Sequence, residues 1–198
     1  MPALVVVCHP RPGSLTARVA ERALARFESA DLLDLHAEGF DPRMTTADEP
    51  DWADPAKPYS PEVHAHFERL LAADPIVVVF PVWWFGLPAT LKGWIDRVWN
   101  HGLTYGRPVP ALAGKRMAWI GLTGYAEDAF VGGGWDKVID QQLRVGISEF
   151  CGIGDVTVRF VHGTVPDSPS PGHVEAVLAA ADAALDTALH GFRTAAAP

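Results

Sequence analysis

Five short apolar runs punctuate this chain, and the strongest of them show no polar–apolar alternation. Ala3–Cys8 (ALVVVC) and Ile76–Phe80 (IVVVF) are the clearest, and Leu32–Leu35, Arg116–Leu122 and Val156–Val161 complete the set. A β-branched run without alternation is a strand buried on both faces. Between the runs the apolar period becomes helical. Leu15, Val19, Ala23, Leu24 and Phe27 form one stripe, Val63, Phe67, Leu70 and Leu71 a second, and Leu87, Leu91, Ile95 and Val98 a third, with Pro88 placed to open its first turn. Ile139, Leu143 and Phe150 mark a fourth, and Val174 to Phe192 the last, before a frayed end at Ala195–Pro198. Buried strands separated by helices require right-handed crossovers, hence a parallel sheet covered on both sides: an α/β three-layer sandwich. For five strands the expected order is 2-1-3-4-5, with a ligand crevice where the order reverses, between strands 1 and 3.

Composition narrows the class further. The 198 residues fit one domain spanning 1–198, and 48% hydrophobic with 20% charged residues excludes a disordered tail or a coiled coil. A net charge of −8 argues against nucleic acid, whose phosphates call for a basic face. The two cysteines, Cys8 and Cys151, lie in no CxxC or Cys/His cluster, which fits a reducing cytoplasm. The first ten residues lack the basic region of a signal peptide. Uncharged Pro75–Leu91 is broken by Pro81, Gly86 and Pro88, so it reads as strand, loop and helix start rather than a membrane span. A polar, proline-rich stretch from Ala37 to Pro61 reads as a functional or covering loop.

Three loops are expected at the crevice. His9–Ala17 joins strand 1 to the first helix, with Ser14 as its N-cap. It is either an ordinary capped helix or a phosphate site, with His9, Ser14 and Thr16 as further donors. It matches neither GxGxxG nor a Walker A loop, and a cysteine-phosphatase loop fails because the position six residues after Cys8 is Ser14 rather than arginine. Pro81-Val82-Trp83-Trp84-Phe85-Gly86-Leu87-Pro88 follows strand 3. Its three consecutive aromatics cannot all face one core, so they form either a wall for a flat heterocycle or a hydrophobic plug. Thr123–Gly134 follows strand 4. Its Thr123-Gly124 step lets backbone approach a ligand, while Gly132-Gly133-Gly134 reads as a flexible connector.

Across almost the whole chain, and most densely from Ser60 to Tyr105, the sequence resembles the NAD(P)H:quinone oxidoreductase family of flavodoxin-like flavoproteins. Phe80-Pro-Val-Trp-Trp-Phe-Gly-Leu-Pro-Ala-Thr-Leu-Lys-Gly-Trp-Ile-Asp-Arg-Val98 carries the resemblance, with His9 and Ser14, then Thr123-Gly124, in family order and spacing. The resemblance implies that His9, Ser14, Leu15, Thr16 and Ala17 hold a flavin phosphate. It implies that Pro81, Val82, Trp83, Trp84 and Phe85 line the isoalloxazine, and that Leu122, Thr123, Gly124 and Tyr125 contact its pyrimidine side. Tyr105, from a dimer mate, would border the substrate cavity together with Trp84 and Phe130. Three departures from the family stand out: Thr16 in place of Asn, Phe130 in place of a tyrosine credited with stabilising reduced flavin, and Trp135-Asp136 where animal enzymes carry a histidine.

The function so implied is flavin-dependent reduction of quinones or similar flat electrophiles by ping-pong hydride transfer. FAD or FMN is the cofactor and NAD(P)H the donor, and no side chain acts as a nucleophile. The alternatives are a flavin-binding regulatory subunit of a membrane transporter, of the potassium-efflux type, or a flavodoxin-like electron carrier. Trp83, Trp84, Phe85 and Trp99 are more large aromatics than one loop can hide, which points to a homodimer. The remaining histidines suggest no metal site, and Lys92 and Arg97 read as surface or interface pairs.

Overall fold

The computed structural model describes residues 1–165 and 170–194; Ala195–Pro198, expected to fray, lie outside the described residues. Strands β1 (Ala3–Val7), β2 (Ala30–Asp34), β3 (Ile76–Pro81), β4 (Arg116–Leu122) and β5 (Asp155–Val161) form one parallel sheet in the order β2-β1-β3-β4-β5. Val5 pairs with Leu32 on one side and Val77 on the other, and Val79 pairs with Ile120.

Successive residues of a strand point to opposite faces, and here both faces are covered. Val5, Val7, Val77, Val79 and Ile120 pack under α1 (Leu15–Leu24) and α6 (His173–Thr194), against Val19, Ala23 and Leu185. Leu4, Val6, Val78, Phe80 and Trp119 pack on the other side under α2 (Pro61–Ala72) and α3 (Ala89–Val98). The flat hydropathy of the inner strands follows directly. The outer strands differ from the expectation of complete burial: Leu32 of β2 is 42% exposed, and Asp155 and Arg159 of β5 face solvent between buried Val156, Val158 and Val161. An edge strand lies at the limit of the helical layers, so part of its surface stays wet.

Helix starts follow their caps. Ser14 accepts from the Ala17 amide at 3.1 Å, and Ser60 accepts from Val63 with Pro61 opening α2. Pro88 is the cap of α3 rather than its first helical residue. The Thr123–Gly134 segment, expected to be a loop, holds the short helix α4 (Glu127–Gly132), and the single helix expected from the Ile139/Leu143/Phe150 stripe is instead the end of α5 (Trp135–Asp140), a π-helical stretch Gln141–Ser148 and a 3₁₀ turn Glu149–Cys151. Ile139 and Leu143 stay buried, but the wider π turns rotate Phe150 out to 61% exposure.

The proline-rich loop is fastened rather than free. Buried Asp48 accepts from Arg97 of α3 at 2.7 Å and from the Ser60 amide at 2.9 Å, while Asn100 donates to the Asp48 carbonyl at 2.6 Å. Arg97 also pairs with Glu62 at 2.8 Å and is 4% exposed, so it is a buried anchor and not a surface pair. Lys92, by contrast, makes an exposed pair with Asp96. No helix among the described residues is long and apolar enough to cross a membrane.

Candidate functional site

Beyond the carboxyl ends of β1, β3 and β4, the three loops expected to meet do meet. Val82, Trp84, Phe85, Thr123, Gly124 and Tyr125 line an open cavity of about 550 Å³, with Ala126 and Val165. It adjoins a second cavity of about 260 Å³ that shares Val82, Gly124 and Val165 and reaches His9, Ser14, Leu15 and Thr16, with Pro81, Trp83 and Leu122 on its walls. The strand-end positions follow from register, since Pro81 pairs with Leu122 and the Val82 amide then donates to the Leu122 carbonyl at 2.7 Å.

The aromatic loop is a two-residue turn. Trp83 and Gly86 exchange backbone hydrogen bonds at 3.1 and 3.0 Å, and both central residues, Trp84 and Phe85, have positive φ, 49° and 56°. Turns of this hand ordinarily use Asn-Gly, because a Cβ clashes in the left-handed region. Two aromatics held there are strain of the kind found at binding sites. Trp84 projects with 98% of its surface exposed. Phe85 is half-buried, stacked flat on Trp135 (4.0 Å, 20°) and tilted against Tyr125 (5.4 Å).

Several backbone donors remain uncommitted. The Ser14 side chain takes the Ala17 amide, so the Leu15 and Thr16 amides at the mouth of α1 find no acceptor among the described residues. Nor do those of Trp84, Phe85 and Gly124, whereas the Trp83 and Thr123 amides are committed to Gly86 and the Val161 carbonyl. Thr16 is 3% exposed, lines the smaller cavity, and its hydroxyl finds no partner among the described residues. His9 packs edge-on to Trp83 at 5.9 Å and accepts the Arg11 amide at Nδ1, 3.0 Å, which puts the ring proton on Nε2. Burial, and then the neighbouring Arg11 charge, lowers its pKa. Cys8 beneath offers no nucleophile, because burial pushes its thiol up to about 12.

A family model for the flavodoxin-like fold matches residues 1–187. The chain belongs to this family. It is 45% identical over 165 residues to the uncharacterized NAD(P)H oxidoreductase YcaK of Escherichia coli (strain K12), covering 81% of this chain and 83% of that one. Among solved structures it superposes on an NAD(P)H:quinone oxidoreductase from Methanothermobacter marburgensis with a TM-score of 0.79 at 23% identity, covering 94% of this chain and 96% of that one. It also superposes on an FMN-dependent NADH-azoreductase from Bacillus anthracis str. Ames Ancestor, in complex with FMN, with a TM-score of 0.65 at 18% identity, covering 97% and 99%. At those identities the structural likeness concerns the fold.

The residues at the family's crevice fit a flavin by their own chemistry. The unpartnered Leu15 and Thr16 amides, with the Thr16 hydroxyl, form an anion cradle at the positive end of α1. The aromatic cavity next to it suits a flat ring system with polar edges facing the free Trp84, Phe85 and Gly124 amides. Ser14 acts as the cap that leaves this cradle open, and Ala17, whose amide it binds, helps shape the turn.

Within one chain Phe130 and Tyr105 both stand away from this cavity, where Tyr105 is expected from a dimer mate. Phe130 is fully buried against Phe160 and His162, at ring distances of 5.2 and 5.4 Å, so it presents no surface to a cavity. The α4 turn directs its ring inward, under the loop rather than over it. Tyr105 lines a different cavity of about 160 Å³, with Trp99, Phe150 and Cys151. Trp99, expected to need a covering partner, is 4% exposed within the chain. Sequence reasoning gave no site role to Trp135, which backs the cavity wall by stacking on Phe85. Its signal was the three glycines before it.

Proposed function

We propose that this chain is a flavin-dependent oxidoreductase that carries reducing equivalents from NAD(P)H to quinones or similar flat electrophiles. The single observation that carries the reading is the pairing of an aromatic cavity with an adjoining cradle of unpartnered amides at the start of α1. Leu15, Thr16 and the His9 Nε2–H would hold the phosphate, and Val82, Trp84, Phe85 and Tyr125 would flank the ring system. A bound flavin supplies hydride acceptance and donation, chemistry that no protein side chain provides. The Trp84, Phe85 and Gly124 amides stand where oriented donors can stabilise developing negative charge, a contribution of about 3 kcal/mol for one well-placed donor. One aromatic cavity serves donor and acceptor in turn, which is a ping-pong order.

The relatives' names support NAD(P)H as donor, and FMN in a structural neighbour supports a flavin of that type. A groove of about 370 Å³ continues from Ser14 and Leu15 past Arg11 and Arg18, with room and charge for the second phosphate of FAD. Within one chain Tyr105 is outside the aromatic cavity, so its place beside an acceptor requires a second copy. We read the working form as a homodimer, with exposed Trp84 at its interface.

Anaerobic mixing tests the reading. NADH or NADPH should bleach the flavin absorbance, and a quinone added afterwards should restore it without a stable radical. Flavin that neither nucleotide bleaches would rule the enzyme out.

A further inference from the structure

The Gly132-Gly133-Gly134 run is not one flexible connector, because its three members sit in different surroundings. A Cβ on Gly132 would meet nothing within 4 Å. Gly134 turns the chain at φ +74°, just before α5. Gly133 has ordinary φ, −79°, but a Cβ there would lie 2.6 Å from Trp135 Nε1 and 2.8 Å from its Cδ1. The space over Gly133 is therefore filled by the Trp135 indole, and Gly133 and Gly134 together lay that indole on Phe85 at 4.0 Å and 20°.

Phe85 needs such support. It occupies the second central position of a strained turn whose other member, Trp84, is 98% exposed and braces nothing. A benzyl group at a turn tip exchanges rotamers unless neighbours hold it, and ordering it in the complex costs affinity. Trp135 holds it flat on one side and Tyr125 tilts against it at 5.4 Å, a continuous three-ring wall.

We propose that Trp135, seated by Gly133 and Gly134, is a positioning residue that fixes the Phe85 plane and thereby sets the cavity's preference for fused-ring over single-ring acceptors. Trp135 does not line the cavity itself; it acts through Phe85, which does. Dispersion grows with the area in contact, so a fused bicyclic ring loses more than a single ring when the platform rotates. The proposal rests on the oxidoreductase reading given above for the identity of the ligand.

The test is equilibrium binding of 1,4-naphthoquinone and 1,4-benzoquinone to the oxidised protein without NAD(P)H, read by fluorescence quenching, after flavin content is measured by absorbance. Trp135→Ala and Gly133→Ala should each weaken naphthoquinone about tenfold and benzoquinone less than about threefold, since loss of one aromatic pair is of that order. Trp135→Phe should regain most of the naphthoquinone affinity, and Gly132→Ala should match the wild type. Equal losses for both quinones, or none, would overturn the proposal. If the alanine variants fail to fold, Trp135→Phe against wild type still decides it, with a selective loss of about two- to threefold expected. A wild-type protein that takes up no flavin would defeat the oxidoreductase reading instead. The same titration, followed by tryptophan fluorescence on the flavin-free protein, would then decide the Trp135 proposal separately.

Discussion

The loop over residues 41–59 is held by buried polar anchors, and the turn over residues 82–86 by none among the described residues. The long loop is tied down at Asp48 and Tyr59, although its Met44 to Ala47 amides find no acceptor among the described residues. Asp48 is fully buried yet receives Arg97, the Ser60 amide and, through its carbonyl, Asn100. Tyr59 donates to the His101 carbonyl at 2.7 Å, and Trp52 lies on the His101 ring at 5.2 Å. The short turn leaves two amides and a whole indole facing outward, on a backbone that favours glycine. Left-handed strain at Trp84 and Phe85, beside uncommitted amides that line a cavity, marks a place for a ligand beyond β1, β3 and β4. Satisfied burial at the long loop marks architecture.

Breaking the anchor should produce the largest change in stability. Asp48→Ala leaves Arg97 short of its buried partner and should cost about 3 kcal/mol in urea unfolding, with flavin retained by the folded fraction. Burial opposes ionisation of Asp48, but the Ser60 amide and the Arg97 guanidinium outweigh it and hold the carboxyl below its ordinary value. With the folded value below an unfolded one of about 3.9, the stabilisation is present at neutral pH and lost as the pH falls through the folded value. The stability gap between wild type and Asp48→Asn should therefore be widest at neutral pH and narrow as the pH falls below about 3.9. A gap that widens in acid would contradict this assignment.

The turn should respond with the opposite sign. Measured at a dilution that separates the two copies, Trp84→Gly removes an exposed side chain and relieves a left-handed Cβ, a gain of ~1–2 kcal/mol less the ~0.4–1 kcal/mol entropy of an added glycine. Unfolding should thus shift upward by about 0.5–1 kcal/mol while flavin or acceptor affinity falls. A variant both less stable and equally tight would erase the contrast between the two regions.

The smallest functional effect is expected at Phe130. Phe130→Tyr places a hydroxyl in a filled core and should cost about 1 kcal/mol of stability. Stopped-flow reduction by NADH or NADPH should stay within about twofold, a barrier change of under 1 kcal/mol. A large gain in that step would return Phe130 to the site.

Much of this arrangement was legible in the residues. Unalternating strands announced a covered parallel sheet, and the three loops followed from where such a sheet leaves its crevice. Ser14 announced its cap, because a hydroxyl before an apolar helical stripe has a local partner to find. The partnership of Asp48 with Arg97 was not legible, since a carboxylate in a polar loop gives no sign of a cation 49 residues away. Phe130 misled for a related reason: matching a position to a family tyrosine fixes the alignment but not which way the α4 turn directs the ring. The glycine triple looked uniform in sequence, and only tertiary neighbours distinguish Gly132 from Gly133.

The central claim is that the start of α1 and the Val82–Phe85 turn together hold a flavin. Equilibrium titration of the flavin-free protein with FMN and with FAD, for wild type and Ser14→Glu, tests it most directly. The account predicts about one flavin bound per chain by wild type, and affinity reduced at least about a hundredfold in Ser14→Glu, whose carboxylate faces the phosphate cradle in a partly desolvated site. Equal binding by both proteins, or none by wild type, would contradict it.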